Sequence, residues 1–174
     1  GMAACYGNLG VVFALRMPHE KAIVYYRKAL AINEVSGNQR RIASDLTNIA
    51  IAYTEMNQYG TALPYLQRTL TIYKNVGDKN GASITLAKIG EIYLHAPDSF
   101  LLQQRVNPAD RHKIAAQYQQ EAFHLAKEIG ALDRQAEALH NLSSLYEAAG
   151  QTGKALASYK QYQVLRDSIL NDEM

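Results

Sequence analysis

Tryptophan is missing from this chain, cysteine occurs once, and proline four times in 174 residues. With Cys5 as the only cysteine, no intramolecular disulfide can form, which excludes a disulfide-stapled fold. No uninterrupted apolar run exceeds five residues (11–15 is one such run), against the roughly 20 that a bilayer-spanning helix needs. Neither charge dominates: 18 basic and 16 acidic residues leave a net charge of +2, and the basic residues form no block. Phosphate binding needs a concentrated basic surface, so the composition disfavours a nucleic-acid partner. Strand signals are absent too. A hydrophobic share of 48% with 20% charged residues nevertheless describes a chain that buries a core, not a disordered one.

What the chain does have is repetition. Leu9-Gly10-x-x-Phe13, Ile49-Ala50-x-x-Tyr53, Ile89-Gly90-x-x-Tyr93 and Leu142-Ser143-x-x-Tyr146 each join a large aliphatic, a small residue, two variable positions and an aromatic. Asn8, Asn48 and Asn141 precede three of the aliphatics, and Lys88 precedes the other. Asn8 to Asn48 and Asn48 to Lys88 are both 40 residues apart, whereas Lys88 to Asn141 is 53, so the third repeat carries a 13-residue insertion. Such periodicity marks a solenoid, in which no unit buries its apolar face until a neighbour stacks on it. Four units and the insertion account for nearly the whole chain. No stretch is left for a separate catalytic domain.

The second repeat shows how one unit is built. Leu46, Ile49, Ala50 and Tyr53 fall at i, i+3, i+4 and i+7, one apolar stripe of a 3.6-residue period. Residues 56–60 break the pattern with turn formers. A second stripe follows with Ala62, Leu66, Thr69, Leu70 and Tyr73, and Gly77 suits the left-handed position that closes a helix. In the first, second and fourth repeats, Ala22, Ala62 and Ala155 each lie 14 residues after the asparagine of the first helix. The small residues Gly10, Ala50, Gly90 and Ser143 let paired helices approach, while Phe13, Tyr53, Tyr93 and Tyr146 fill the space beside them. The same logic makes Cys5 a small apolar filler.

Small-x-x-aromatic in one helix, then Ala22, Tyr26 and Ala29 in the next, resembles the tetratricopeptide repeat, lengthened from its usual 34 residues to about 40. Three departures stand out. The usual tryptophan position holds Tyr6, Leu46, Leu86 and Leu139, the proline between repeats is missing, and Gln119 stands where an aromatic is expected. The resemblance implies an all-α superhelix of about four helix pairs: 2–37, 41–77, 81–130 with an insertion over 96–112, and 134–170. Together they form one solenoid domain over 1–174. The opening Gly1-Met2 reads as a tag remnant and the chain stops at Met174 without a closing signal. A piece of a longer protein is therefore expected, with localisation open between extracytoplasmic and cytoplasmic.

Within the insertion, Pro97 ends a helix, because proline disfavours helix at the residue before it. Asn107-Pro108-Ala109-Asp110 reads as a helix start, with asparagine as N-cap and proline in the first turn. Between them, 98–106 reads either as a tolerated surface loop or as a functional lip in which Phe100, Leu101 and Leu102 pack over a groove or against a partner. On either reading, deleting 98–106 is expected to preserve the helices.

Tetratricopeptide repeats line their concave side with the first helix of each pair. The resemblance therefore places Asn8, Thr47, Asn48, Glu55, Lys88, Glu91, His140 and Asn141 on a peptide-binding face. Asparagine is a poor helix former, yet it recurs in register there. Its amide offers both donor and acceptor, so such a ladder suits the backbone of an extended ligand. The competing reading is that these side chains bond to neighbouring helices and fix packing.

None of the five histidines forms an HExxH or HxxxH pair or lies at metal-ligand spacing to Cys5, and there is no glycine-rich phosphate loop. No metal, cofactor or catalytic residue is expected. The stretch from Ser158 to Leu170 resembles the segment that closes repeat arrays in bacterial sensor kinases and LuxR-type regulators. That resemblance implies a protein- or peptide-binding scaffold serving as the sensory or interaction segment of a signal-transduction regulator. The alternative is a constitutive assembly scaffold. Ala155, Tyr159, Tyr162, Leu165 and Ile169 share one side of the last helix, a surface expected to be covered by a further helix or a second copy as a homodimer.

Overall fold

The computed structural model describes residues 1–15 and 19–172. The described residues form nine α-helices and no strand: α1 (Met2–Leu15), α2 (His19–Ser36), α3 (Gln39–Glu55), α4 (Tyr59–Asn75), α5 (Lys79–His95), α6 (Asp98–Gln103), α7 (Arg111–Glu128), α8 (Leu132–Ala148) and α9 (Thr152–Asp172). None of these helices is long and apolar enough to cross a membrane. The chain divides into two compact units, Gly1–Asp78 and Lys79–Met174.

In the first unit α1 packs on α2, α2 on α3 and α3 on α4. Most of the stripe positions read from the sequence lie in its core, where Ala22, Tyr26, Leu46 and Ile49 are buried together with Ile72, a position outside the predicted stripe, while Phe13, Tyr53 and Tyr73 stand at the margin. Gly10 is small for a steric reason: a Cβ there would lie 2.4 Å from the Tyr26 ring. Tyr53 and Tyr65 stack at 5.8 Å, and the Arg27 guanidinium donates to the Tyr53 hydroxyl at 2.9 Å. Cys5 does not fill the core. It is exposed.

Helix ends in both units share one stop. Asn38 N–H donates to the Asn33 carbonyl and Gly37 N–H to that of Glu34, with Gly37 at φ +69°. This pairing closes a helix and requires the left-handed conformation, which glycine adopts at least cost. Asn57, at φ 57°, carries the same stop between α3 and α4, its N–H donating to the Thr54 carbonyl and that of Gln58 to the Tyr53 carbonyl. The turn in the second repeat thus rests on an asparagine, and α4 begins at Tyr59, so Gly60 lies inside the helix.

The second unit joins α5 to α7, α7 to α8 and α8 to α9. Tyr93 stacks on Tyr118 at 5.5 Å, and Ser143 Oγ donates to the Ala155 carbonyl at 3.0 Å. Here the small residue both permits close approach and supplies a bond. The insertion departs from the surface-loop expectation, because 98–103 is the helix α6. Phe100 and Leu101 are buried, at 7% and 0% exposure, so neither presents its side chain to a partner. Leu102 alone of the three is exposed, at 62%. The Asn107 side chain accepts from Ala109 N–H at 3.0 Å, as its N-cap assignment requires, and Pro108 opens a 3₁₀ turn that leads into α7. Arg111 ties these pieces together. Its guanidinium donates to the Leu94 and Ala96 carbonyls at 3.1 Å each and pairs with Asp98.

Candidate functional site

Each unit has a cleft between two first helices. In the first unit a cavity of about 360 Å³ lies between α1 and α3, with Asn8 on one wall and Asn48 on the other. Its base holds a buried polar pair, in which Asn33 Nδ2 donates to Asp45 Oδ2 at 2.6 Å. Burial pushes the Asp45 carboxyl above its ordinary pKa, against the smaller opposing effects of the Asn33 bond and the Arg41 charge. The second unit has a cavity of about 330 Å³ between α5 and α8, with α7 as its floor. Glu91 and His95 line one wall, Asn141 and Ser144 the other, and His112 and Gln119 rise from the floor. A smaller neighbouring hollow of about 30 Å³ is bounded by Lys88, Glu91 and, again, Gln119. Lys88 and Glu91 pair loosely at 3.9 Å.

Helix pairs of this register, with close contact at the small positions and clefts between the first helices, agree with what family models find. Residues 1–75 match one tetratricopeptide repeat model, and residues 138–168 match a second. The chain is a tetratricopeptide repeat domain. Its solved neighbours share the fold at low identity. BtubC (BKLC) from P. vanneervenii superposes with a TM-score of 0.75 at 18% identity, over 96% of this chain and 64% of that one. A Rap protein complexed with competence and sporulation factor gives a TM-score of 0.78 at 18% identity, over 98% of this chain and 44% of that one. Aspartyl phosphate phosphatase F from Bacillus subtilis gives 0.55 at 14% identity, over 94% of this chain and 49% of its own. The repeat domain therefore spans less than two thirds of the length of each of these neighbours. No curated protein matches the sequence.

The repeats bring some of the residues named from sequence into the clefts and leave others outside. Asn8 and Asn48 face one cavity, and Glu91 and Asn141 face the other. Asn48 and Asn141 are half-buried, and neither amide makes a hydrogen bond among the described residues. Thr47, Glu55 and His140 line neither cleft. The Thr47 hydroxyl turns back to the Ala43 carbonyl at 2.8 Å, a common outlet for threonine within a helix. Glu55 is exposed at the end of α3. His140 is exposed and lies 5.1 Å from the Tyr162 ring of α9. Asn33, Asp45 and Gln119 went unnoticed as site residues. Two belong to second helices, which the concave-face rule ignores, and Asp45 reads in sequence as one more polar position. Only Gln119 left a signal, by breaking the aromatic pattern.

Proposed function

We propose that this tetratricopeptide repeat domain is a binding module for protein or peptide segments, and that its asparagines grip the ligand backbone. The observation that carries the reading is the state of Asn48 and Asn141. Each is held half-buried on a cleft wall with an amide that bonds to nothing among the described residues. A half-buried amide with no partner inside the fold keeps its donors and acceptor for water or for a ligand that displaces it. An amide left open on a concave wall suits a backbone N–H and C=O brought by a ligand. The Rap neighbour, whose structure contains competence and sporulation factor, supports a ligand-holding use of this fold. The module serves as the interaction segment of a bacterial regulator, and it acts by binding, not by catalysis.

A random-peptide display library selected on the domain provides the ligands for the test. Asn48→Ala and Asn141→Ala should each weaken a selected peptide by about 1 kcal/mol or more, the typical worth of a hydrogen bond. Melting temperatures should stay within a degree or two of the wild type, because neither amide holds a helix in place. A large loss of melting temperature with unchanged affinity would assign both residues to packing.

A further inference from the structure

Gln119 is an amide in a position built for an apolar side chain. Four residues after the alanine that opens each second helix, the first repeat has Tyr26 and the second Leu66, both buried in their unit. The third, counted from Ala115, has Gln119, which is only 3% exposed. Its amide makes no hydrogen bond among the described residues, yet its polar atoms are not sealed from solvent, so their bonding capacity opens on the cleft. The fold does not need an amide there, as Leu66 demonstrates. The side chain forms the ridge between the larger cleft of the second unit and the small hollow beside it, so its one outlet is into those spaces.

We infer that Gln119 is a specificity residue, selecting a peptide ligand that places an uncharged hydrogen-bonding side chain, an amide or a hydroxyl, at the floor of the second-unit cleft. This rests on the peptide-binding reading above and adds to it what the site discriminates. Asn141, higher on the wall, bonds to backbone and so tolerates any sequence. Gln119, at the floor beside Ala115 and Leu145, meets only what a side chain can carry that far. A charged group set against Gln119 would give up hydration for a neutral amide dipole, which offsets less of that cost than a counter-ion does. An apolar group would bury Gln119 unpaired, and sites built to bond a polar group reject analogues that lack one. A primary amide or hydroxyl satisfies both donor and acceptor. At about 330 Å³ the cleft is at the lower end of the range for ligand pockets, room for one side chain with its flanking backbone.

The test is a parallel selection of one random-heptapeptide display library on the wild type and on Gln119→Leu, a substitution that copies the second repeat. Circular dichroism should show both proteins equally helical. The wild type should enrich Asn, Gln, Ser or Thr at one fixed position, and the variant should exchange these for Leu, Val or Met at that position. Replacing the enriched residue by leucine in a selected peptide should cost about tenfold in affinity for the wild type and little for the variant. In ¹⁵N spectra the Gln119 side-chain NH₂ signals should move as the peptide is added. Identical preferences on both proteins would overturn the inference alone and assign the amide to a bound water. Enrichment on neither protein would overturn the peptide-binding reading, and this inference with it.

Discussion

Asp45 carries the clearest conflict between charge and burial in the first unit. Buried beside Asn33, its carboxyl ionises less readily than in an unfolded chain, where its pKa is near the ordinary 3.8. The native state therefore binds that proton more tightly than the unfolded state does. Stability is then full at acidic pH and declines as pH rises through the raised native value. Asp45→Asn keeps an oxygen for the Asn33 N–H and removes the ionisation. Relative to wild type, the variant should gain stability as pH increases from acid to neutral, measured as the difference in urea midpoints across a pH series. A variant that instead loses stability relative to wild type as pH rises would show that the carboxylate, not the acid, is the form the fold prefers. Gly10 makes a different kind of point at this scale. Its side chain of one hydrogen is dictated by the Tyr26 ring 2.4 Å from where a Cβ would be, a constraint set by a partner 16 positions along the chain.

Among the elements, the insertion differs most from its sequence-level reading. A six-residue apolar-rich segment after a proline has no period long enough to show which side faces inward. Leu101 and Leu102 are neighbours with the same chemistry, yet one is wholly buried and the other exposed, because a helical turn separates adjacent positions by about 100°. Leu101→Ala should therefore destabilise the second unit by about 2–5 kcal/mol. Leu102→Ala should stay within about 0.5 kcal/mol of wild type. Denaturant unfolding of the two variants distinguishes them, and equal effects would mean that α6 is not held as described. Removing 98–106 would also take Asp98 from Arg111 and two buried side chains from the core. Such a deletion should melt part of the second unit, contrary to the neutral outcome expected of a loop.

At the scale of the molecule, the repeat pattern predicts where apolar surface stays open. In each unit a second helix is normally covered by the first helix of the following pair, as α2 is by α3 and α7 by α8. α9 has no such cover among the described residues. Leu156, Tyr159, Val164 and Leu170 are exposed along it, and Phe123, Leu139, Val164 and Leu165 line an apolar hollow at its side. Exposed apolar patches of this kind promote association. Sedimentation over a wide concentration range should show self-association that Val164→Lys reduces, and wild type that stays monomeric throughout would count against a sticky α9.

The sequence by itself determined the paired helices and the glycine stops, but not α6 or the Asn57 stop. Periodicity, small residues and left-handed glycines are local signals, and each repeat states them again, so errors at one position are corrected at the next. It also named Asn48 and Asn141, because they recur in register. The tertiary structure decided what each side chain meets. Thr47 and Asn48 are adjacent in sequence, yet one hydroxyl folds back on its own helix while the other amide opens on a cleft. Gln119 looked like a lapse in the repeat pattern and became the floor of a cavity only when α5 and α8 closed around α7. A side chain's partners depend on which helices meet over it, and that is a property of three-dimensional packing which no single helix encodes.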